Sequence, residues 1–196
     1  MSRKRYHHGN LKLEIIKESL QQLNLVGADK LSFRTIAKNL GVVSSAPYNH
    51  FKSKNQLFKE LINIGTDNLL KKMKNEKLKK SLPSEQLSYT ARAYLKFSLE
   101  EKELFSLMFS KKNLEIKKLI DSISSQFLDI VKEKFKDGSR VRVTEKGASM
   151  TAWAMIHGLA KLAGNDNLEE IEKNVELKFE EIFNQMSAIW GKGVAN

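Results

Sequence analysis

Between Leu31 and Leu57 the chain reads LSFRTIAKNLGVVSSAPYNHFKSKNQL, and this stretch limits what the chain can fold into more than any other. Phe33, Ile36, Ala37 and Leu40 recur at i, i+3, i+4 and i+7, one apolar face of a helix. Ser32 stands just before that face, where its hydroxyl can accept from an unpaired backbone N–H. Gly41 follows it, where a left-handed residue commonly ends a helix. Three residues later a second short helix can begin, over about Ser44–Phe51. Pro47 is compatible with that helix if Ser44 is the N-cap, because the N–H at the third helical position has no helical partner anyway. Two helices joined by so tight a turn make a helix-turn-helix, whose second helix enters the major groove of DNA. Its exposed set is Ser44, Ser45, Tyr48, Asn49 and His50. Ser53-Lys54-Asn55-Gln56 then forms a capping box ahead of Leu57 and Leu61. That box turns backbone N–H groups and Lys54 to the same side, which suits a phosphate.

The pattern Leu31-Ser32-Phe33-Arg34, Ile36-Ala37, Gly41-Val42, Tyr48-x-His50-Phe51 and Ser53-Lys54-x-x-Leu57 resembles the TetR-type transcriptional repressors. The resemblance implies DNA contacts at Arg34, Tyr48, His50 and Lys54. One departure is Val43, where that family usually has Ser or Thr. A phosphate-capping hydroxyl is therefore missing or is supplied by Ser44. Arg34 lies on the polar side of its helix, where it can reach a guanine edge or a phosphate. The structural alternative is a surface ion pair with Asp29 or Glu18.

Charge agrees with this placement. The 196 residues carry 34 Lys+Arg against 23 Asp+Glu, a formal +11. Residues 1–56 hold 10 basic and 3 acidic side chains, so the excess sits beside the helix-turn-helix, as phosphate binding requires. With no cysteine, disulfides and thiolate chemistry are excluded, which fits a cytoplasmic chain. No apolar run approaches the ~18 residues of a membrane span, and the basic start lacks the apolar core of a secretory signal.

The whole chain reads as all-α, about nine helices. An N-terminal three-helix DNA-binding domain is expected over residues 1–56, and a ligand-binding and dimerisation domain over 57–196. Residues 1–9 form a basic arm in which Arg3, Lys4 and Arg5 could lie along phosphates or in a minor groove; a solvated tail is the alternative. Asn10 can cap a helix over about Leu11–Leu25, with Leu13, Ile16, Leu20 and Leu23 as its buried stripe and Gly27 after its end. A long helix runs from Lys54 towards Lys80, with six lysines between Lys71 and Lys80. Ser81-Leu82-Pro83-Ser84 breaks it, and Ser84 can cap the next helix. Glu100–Glu103 is a polar hinge. Further helices cover about Asn113–Lys136, Thr144–Ala163 and Leu168–Trp190, separated by the turns Lys136–Ser139 and Gly164–Asn167. Arg140–Thr144 is the one short β-like patch.

No catalytic set is recognisable: there is no Gly-x-Ser-x-Gly elbow, Gly-rich phosphate loop or His-Glu-x-x-His. His7 and His8 on a flexible arm make a poor metal site. No enzyme activity, metal or cofactor is expected. Tyr94, Phe97, Phe105, Met108, Phe109, Phe127, Trp153 and His157 combine bulk with a few polar tips, as a small-molecule pocket does; the alternative is plain core. Val175, Phe179, Ile182 and Met186 form a seam that two copies could share in a four-helix bundle. Tyr6–Leu11 and Trp153-x-x-x-His157-Gly158 resemble one TetR subgroup. Together these features imply a homodimeric, sequence-specific regulator of an operator, a repressor released by a small apolar ligand. The other reading is a constitutive helical DNA-binding protein whose C-terminal half only dimerises.

Overall fold

The computed structural model describes residues 11–80, 82–135, 143–164, 168–175 and 177–195. Among these the chain is helical and has no strand, so the all-α reading holds. The elements are α1 (Leu11–Lys30), α2 (Phe33–Leu40), a 3₁₀ turn (Ala46–Asn49), α3 (Lys54–Leu78), α4 (Pro83–Glu100), α5 (Lys102–Met108), α6 (Ile116–Phe135), α7 (Glu145–Leu162), α8 (Leu168–Val175) and α9 (Phe179–Ala195). The basic arm, the Asn10 cap, the turn at Lys136–Ser139 and most of the Arg140–Thr144 patch lie outside the described residues. Thr144 itself caps α7: its hydroxyl accepts from Gly147 N–H at 3.1 Å. No helix among the described residues is long and apolar enough to cross a membrane.

The chain forms two compact units. One is the N-terminal part through Gly65 joined by Glu103–Leu114; the other is Thr66–Lys102 with everything from Glu115 on. In the first unit α1 buries Ile15, Ile16, Ser19, Gln22 and Leu23. Ile16 and Leu23 of the expected stripe are buried and Leu20 is half-buried, whereas Leu13 is half exposed and Ile15 is buried in its place. A polar residue can sit on the buried face because the Ser19 hydroxyl donates to Ile15 carbonyl at 2.6 Å. The regular helix breaks at Gly27, whose φ of 73° is open to glycine at little cost. Beyond the break, Asp29 is a tie point. Its carboxylate accepts from Lys112 Nζ at 2.7 Å, and its carbonyl from Lys54 Nζ at 2.9 Å. The nearby Lys112 ammonium, and then Lys54, hold the Asp29 carboxyl below its usual range. Gly65 lets α3 approach Glu103–Leu114 closely, for a Cβ there would lie 2.7 Å from Met108 Sδ and 3.1 Å from Leu104 Cγ.

The second unit is built on α4, α6 and α7, with α9 against α7. Its core comes from Ala91, Tyr94, Leu95 and Phe97 of α4, Ile123, Phe127, Ile130 and Val131 of α6, and Ala148, Ala152, Ile156 and Ala160 of α7. Small residues on α7 let the neighbouring helices pack closely. α4 begins at Pro83, with Leu82 rather than Ser84 in the cap position. The hinge falls as expected, at Glu101 (φ −117°, ψ 45°). The expected single helix over Leu168–Trp190 is two helices. No breaker residue marks the division. Carboxylates hold it instead: Glu172 accepts from Phe179 N–H at 2.8 Å, and Glu181 from Lys178 N–H at 2.7 Å, so the free amides at the start of α9 are satisfied. The continuous apolar seam goes with it. Phe183 and Trp190 are the buried members of α9, whereas Val175 is half exposed.

Candidate nucleic-acid interface and interior cavity

α2 carries Phe33, Ile36 and Ala37 inward and Arg34 outward. Ser32 has the extended backbone of an N-cap, but its hydroxyl makes no capping hydrogen bond. At the other end Gly41 is left-handed (φ 67°, ψ 29°). Val42 N–H donates to Ala37 carbonyl at 3.0 Å and Gly41 N–H to Lys38 carbonyl at 3.1 Å. That pair of bonds is a Schellman closure, and it sharply reverses the chain into the next segment.

That segment is not the two-turn α-helix expected over Ser44–Phe51. It is a single 3₁₀ turn with Ser45, not Ser44, at the cap and Pro47 in its second position. Ala46 N–H donates to Val43 carbonyl at 2.9 Å, a bond between residues three apart, as a 3₁₀ turn requires. Tyr48 N–H to Ser45 and His50 N–H to Pro47, both 3.1 Å, continue the same pattern. Ala46, Pro47 and Phe51 are buried, while Ser44, Ser45, Tyr48 and Asn49 are exposed and His50 is half-buried. The Tyr48 ring stands edge-on to Phe33, centroids 4.9 Å apart, so it is braced while remaining 56% exposed.

At the start of α3, Gln56 N–H donates to Ser53 Oγ at 3.3 Å, as a capping box requires. The return bond is shifted by one residue, with Lys52 N–H donating to Gln56 Oε1 at 2.7 Å. Lys54 does not hang free. Besides bonding Asp29 carbonyl, its ammonium lies 5.5 Å from the Phe58 ring centroid. Arg34 has neither expected partner: Asp29 pairs with Lys112, and Glu18 accepts from Asn39 and Gln22. The first unit thus gathers Arg34, Ser44, Ser45, Tyr48, Asn49, His50 and Lys54, all on α2, the 3₁₀ turn with its flanking residues, or the first residue of α3.

The eight expected pocket residues are divided. Phe105, Met108 and Phe109 belong to the first unit, where the Phe105 and Phe109 rings touch at 4.8 Å. Tyr94, Phe97, Phe127, Trp153 and His157 belong to the second. There Tyr94 and His157 form a core pair, Oη to Nδ1 2.8 Å, with Trp153 stacked on the imidazole at 5.4 Å. Burial raises the Tyr94 phenol, with the Trp153 indole opposing it slightly; burial, helped by Lys161, pushes His157 down to about 4. Both are therefore neutral near pH 7. Thr90 Oγ1 and Trp153 Nε1 are buried in the same unit without a hydrogen-bond partner among the described residues.

A cavity of about 90 Å³ lies one face further round the same helices. Leu87 and Ala91 of α4, Phe127 of α6, Ala152, Met155 and Ile156 of α7, and Met186 and Trp190 of α9 form its walls, and Ser84, Ser88, Ser187, Lys134 and Gly191 complete it. Of the eight expected residues only Phe127 lines it. Met186, expected in a dimer seam, lines it as well. Sequence reasoning missed Ala91, Ala152 and Ile156, although these small and medium residues facing an aromatic are what leaves space between helices.

Two sequence profiles match the chain: one described as bacterial regulatory proteins, tetR family, over residues 15–61, and one as Tetracyclin repressor-like, C-terminal domain, over residues 87–186. No match to a curated protein was found. Among solved structures, a protein of unknown function from Rhodococcus sp. RHA1 superposes with a TM-score of 0.81 at 23% identity, covering 99% of this chain and 100% of that one. The transcriptional regulator FadR from Bacillus subtilis, in complex with stearoyl-CoA, gives 0.73 at 17% identity, with 93% and 99% covered. AibR in complex with isovaleryl coenzyme A and operator DNA gives 0.64 at 16%, with 89% and 95% covered. With one family profile over the helix-turn-helix and another spanning more than half of the chain, this protein belongs to the TetR family of transcriptional regulators.

Proposed function

We propose that this regulator is a homodimeric repressor that binds an operator through α2, the 3₁₀ turn and the start of α3, and leaves it when a small apolar ligand occupies the interior cavity. The observation that carries the DNA half is the exposed run Ser44, Ser45, Tyr48, Asn49, raised on buried Ala46, Pro47 and Phe51. These side chains face solvent on a rigid base, in a region rich in positive charge. Ser45 and Asn49 are assigned to base edges, Tyr48 and Lys54 to phosphates. Lys54 exchanges Asp29 carbonyl for a phosphate oxygen on binding. The Trp153-x-x-x-His157-Gly158 run is the sequence feature that supports membership of the subgroup bearing that signature.

The dimer rests on the outer face of α7. Met150, Ala154, Gly158 and Leu162 are exposed at helical spacing, and beyond Gly158 there is open space. Exposed Ile189 and half-buried Ile182 offer a matching stripe on α9. The ligand half rests on the cavity and on the acyl-CoA complexes of the structurally similar FadR and AibR. A ligand acts on such a dimer only if it binds one spacing of the DNA-binding units better than the other.

The test is fluorescence anisotropy with DNA flanking the protein's own gene. Log affinity should fall linearly with log salt, as phosphate neutralisation releases counterions. Tyr48→Ala/Lys54→Ala should lose affinity on all sequences, whereas Asn49→Ala should alter sequence preference. Salt-independent binding, or undiminished binding by the double variant, would refute the DNA assignment.

A further inference from the structure

The cavity wall has a chemical asymmetry that "apolar" does not capture. Its inner part is Ala91, Phe127, Ala152, Ile156 and Trp190, all buried. Its less buried part mixes Leu87, Met155 and Met186 with three serine hydroxyls and a single charged residue, Lys134. No Asp or Glu lines it. The Lys134 ammonium lies 5.2 Å from the Trp190 ring centroid, and the indole is fixed by its own N–H donating to Ala148 carbonyl at 3.2 Å. Among the described residues no carboxylate pairs with Lys134, although other lysines of this unit do take one, as Lys72 does with Glu100 and Lys178 with Glu172. A cation in the wall of a cavity with an apolar interior, with serine hydroxyls in the same wall and no carboxylate partner among the described residues, is arranged for an anionic head on an apolar tail.

Size narrows the tail. A cavity of ~150 Å³ holds the six carbons of benzene. At about 90 Å³ this one admits a smaller, aliphatic group. We infer that the effector is a short-chain acyl compound with an anionic head at Lys134 and a tail of roughly three to five carbons among Ala91, Ala152 and Ile156, the tail length scaled from the benzene case. This rests on the cavity being the effector site. The anion is either the carboxylate of a free acid or the phosphates of a coenzyme thioester.

The experiment is calorimetric titration of the full-length protein with butanoate, 3-methylbutanoate and decanoate, their primary amides and their coenzyme A thioesters. At least one short-chain acid or thioester should bind ten-fold or more tightly than the amide of the same chain, and the decanoyl compound should bind more weakly. Lys134→Met should bring the charged ligand down to the amide's level and leave the amide unchanged, and Lys134→Arg should restore the difference. Tighter binding of acids than thioesters assigns the head to a carboxylate, and the reverse order assigns it to phosphates. Equal affinity of acid, thioester and amide, no binding by any of the series, or an unchanged charge preference in Lys134→Met overturns the inference. A neutral compound that releases the operator would overturn it while leaving the repressor reading intact, and loss of operator binding by the unliganded protein would strike that reading alone.

Discussion

His157 is a side chain whose environment departs far from what its type would have in water. On an apolar helix one turn after Trp153 it invites a ligand role, yet its Nδ1 is engaged by the Tyr94 hydroxyl. Its folded pKa of about 4 lies below the ordinary 6.5, so between those values the unfolded chain binds more protons than the folded one. Stability from this residue is complete above pH 6.5 and is lost as pH falls towards 4. The melting temperature of the wild type should therefore drop more steeply from pH 7 to pH 4.5 than that of His157→Gln, as followed by circular dichroism. Parallel profiles for the two proteins would mean that the imidazole is protonated in the fold. Tyr48 belongs to the same scale: Tyr48→Phe keeps the contact with Phe33 and removes only the hydroxyl, so it should weaken DNA binding without changing the melting temperature.

At the scale of elements, the sequence was most legible where a residue type has one conformational use. Gly41 closes α2, Gly27 marks where α1 loses its regularity, and Ser53 caps α3, each as its chemistry predicts. It was least legible where satisfaction comes from a distance. Nothing local forecasts that Glu172 will cap α9 from seven residues away. The cavity walls illustrate the same limit: aromatic side chains stand out in a sequence by their bulk, whereas a cavity lies where small residues such as Ala91 and Ala152 leave space. Gly65 had no signal at all, since its meaning depends on Leu104 and Met108, some forty residues later. Gly65→Ala should lower stability by about 1 kcal/mol, the overpacking cost exceeding the helical gain. A urea midpoint at or above that of the wild type would mean that Met108 yields without cost.

For the whole molecule, the proposed homodimer is what makes operator binding tight. Leu162→Asp/Ile189→Asp places charge on the outer face of α7 and α9 and leaves the cavity walls alone. Sedimentation should find a monomer of unchanged helix content whose operator affinity falls by ~100-fold or more, since avidity from two linked half-sites is lost. A dimer that survives this change would move the interface elsewhere. A separate consequence arises from how the first unit is assembled. Glu103–Leu114 is part of it, placing Leu104 and Met108 against Gly65 and Lys112 against Asp29, although the second unit's Thr66–Lys102 intervenes in the chain. The unit is therefore discontinuous, and no single crossover in the gene can exchange it without carrying Thr66–Lys102 along. A chimera joined at residue 65 would inherit a DNA-reading head fitted to the wrong 103–114 segment, so recombination between relatives should yield working regulators only when both stretches come from the same parent.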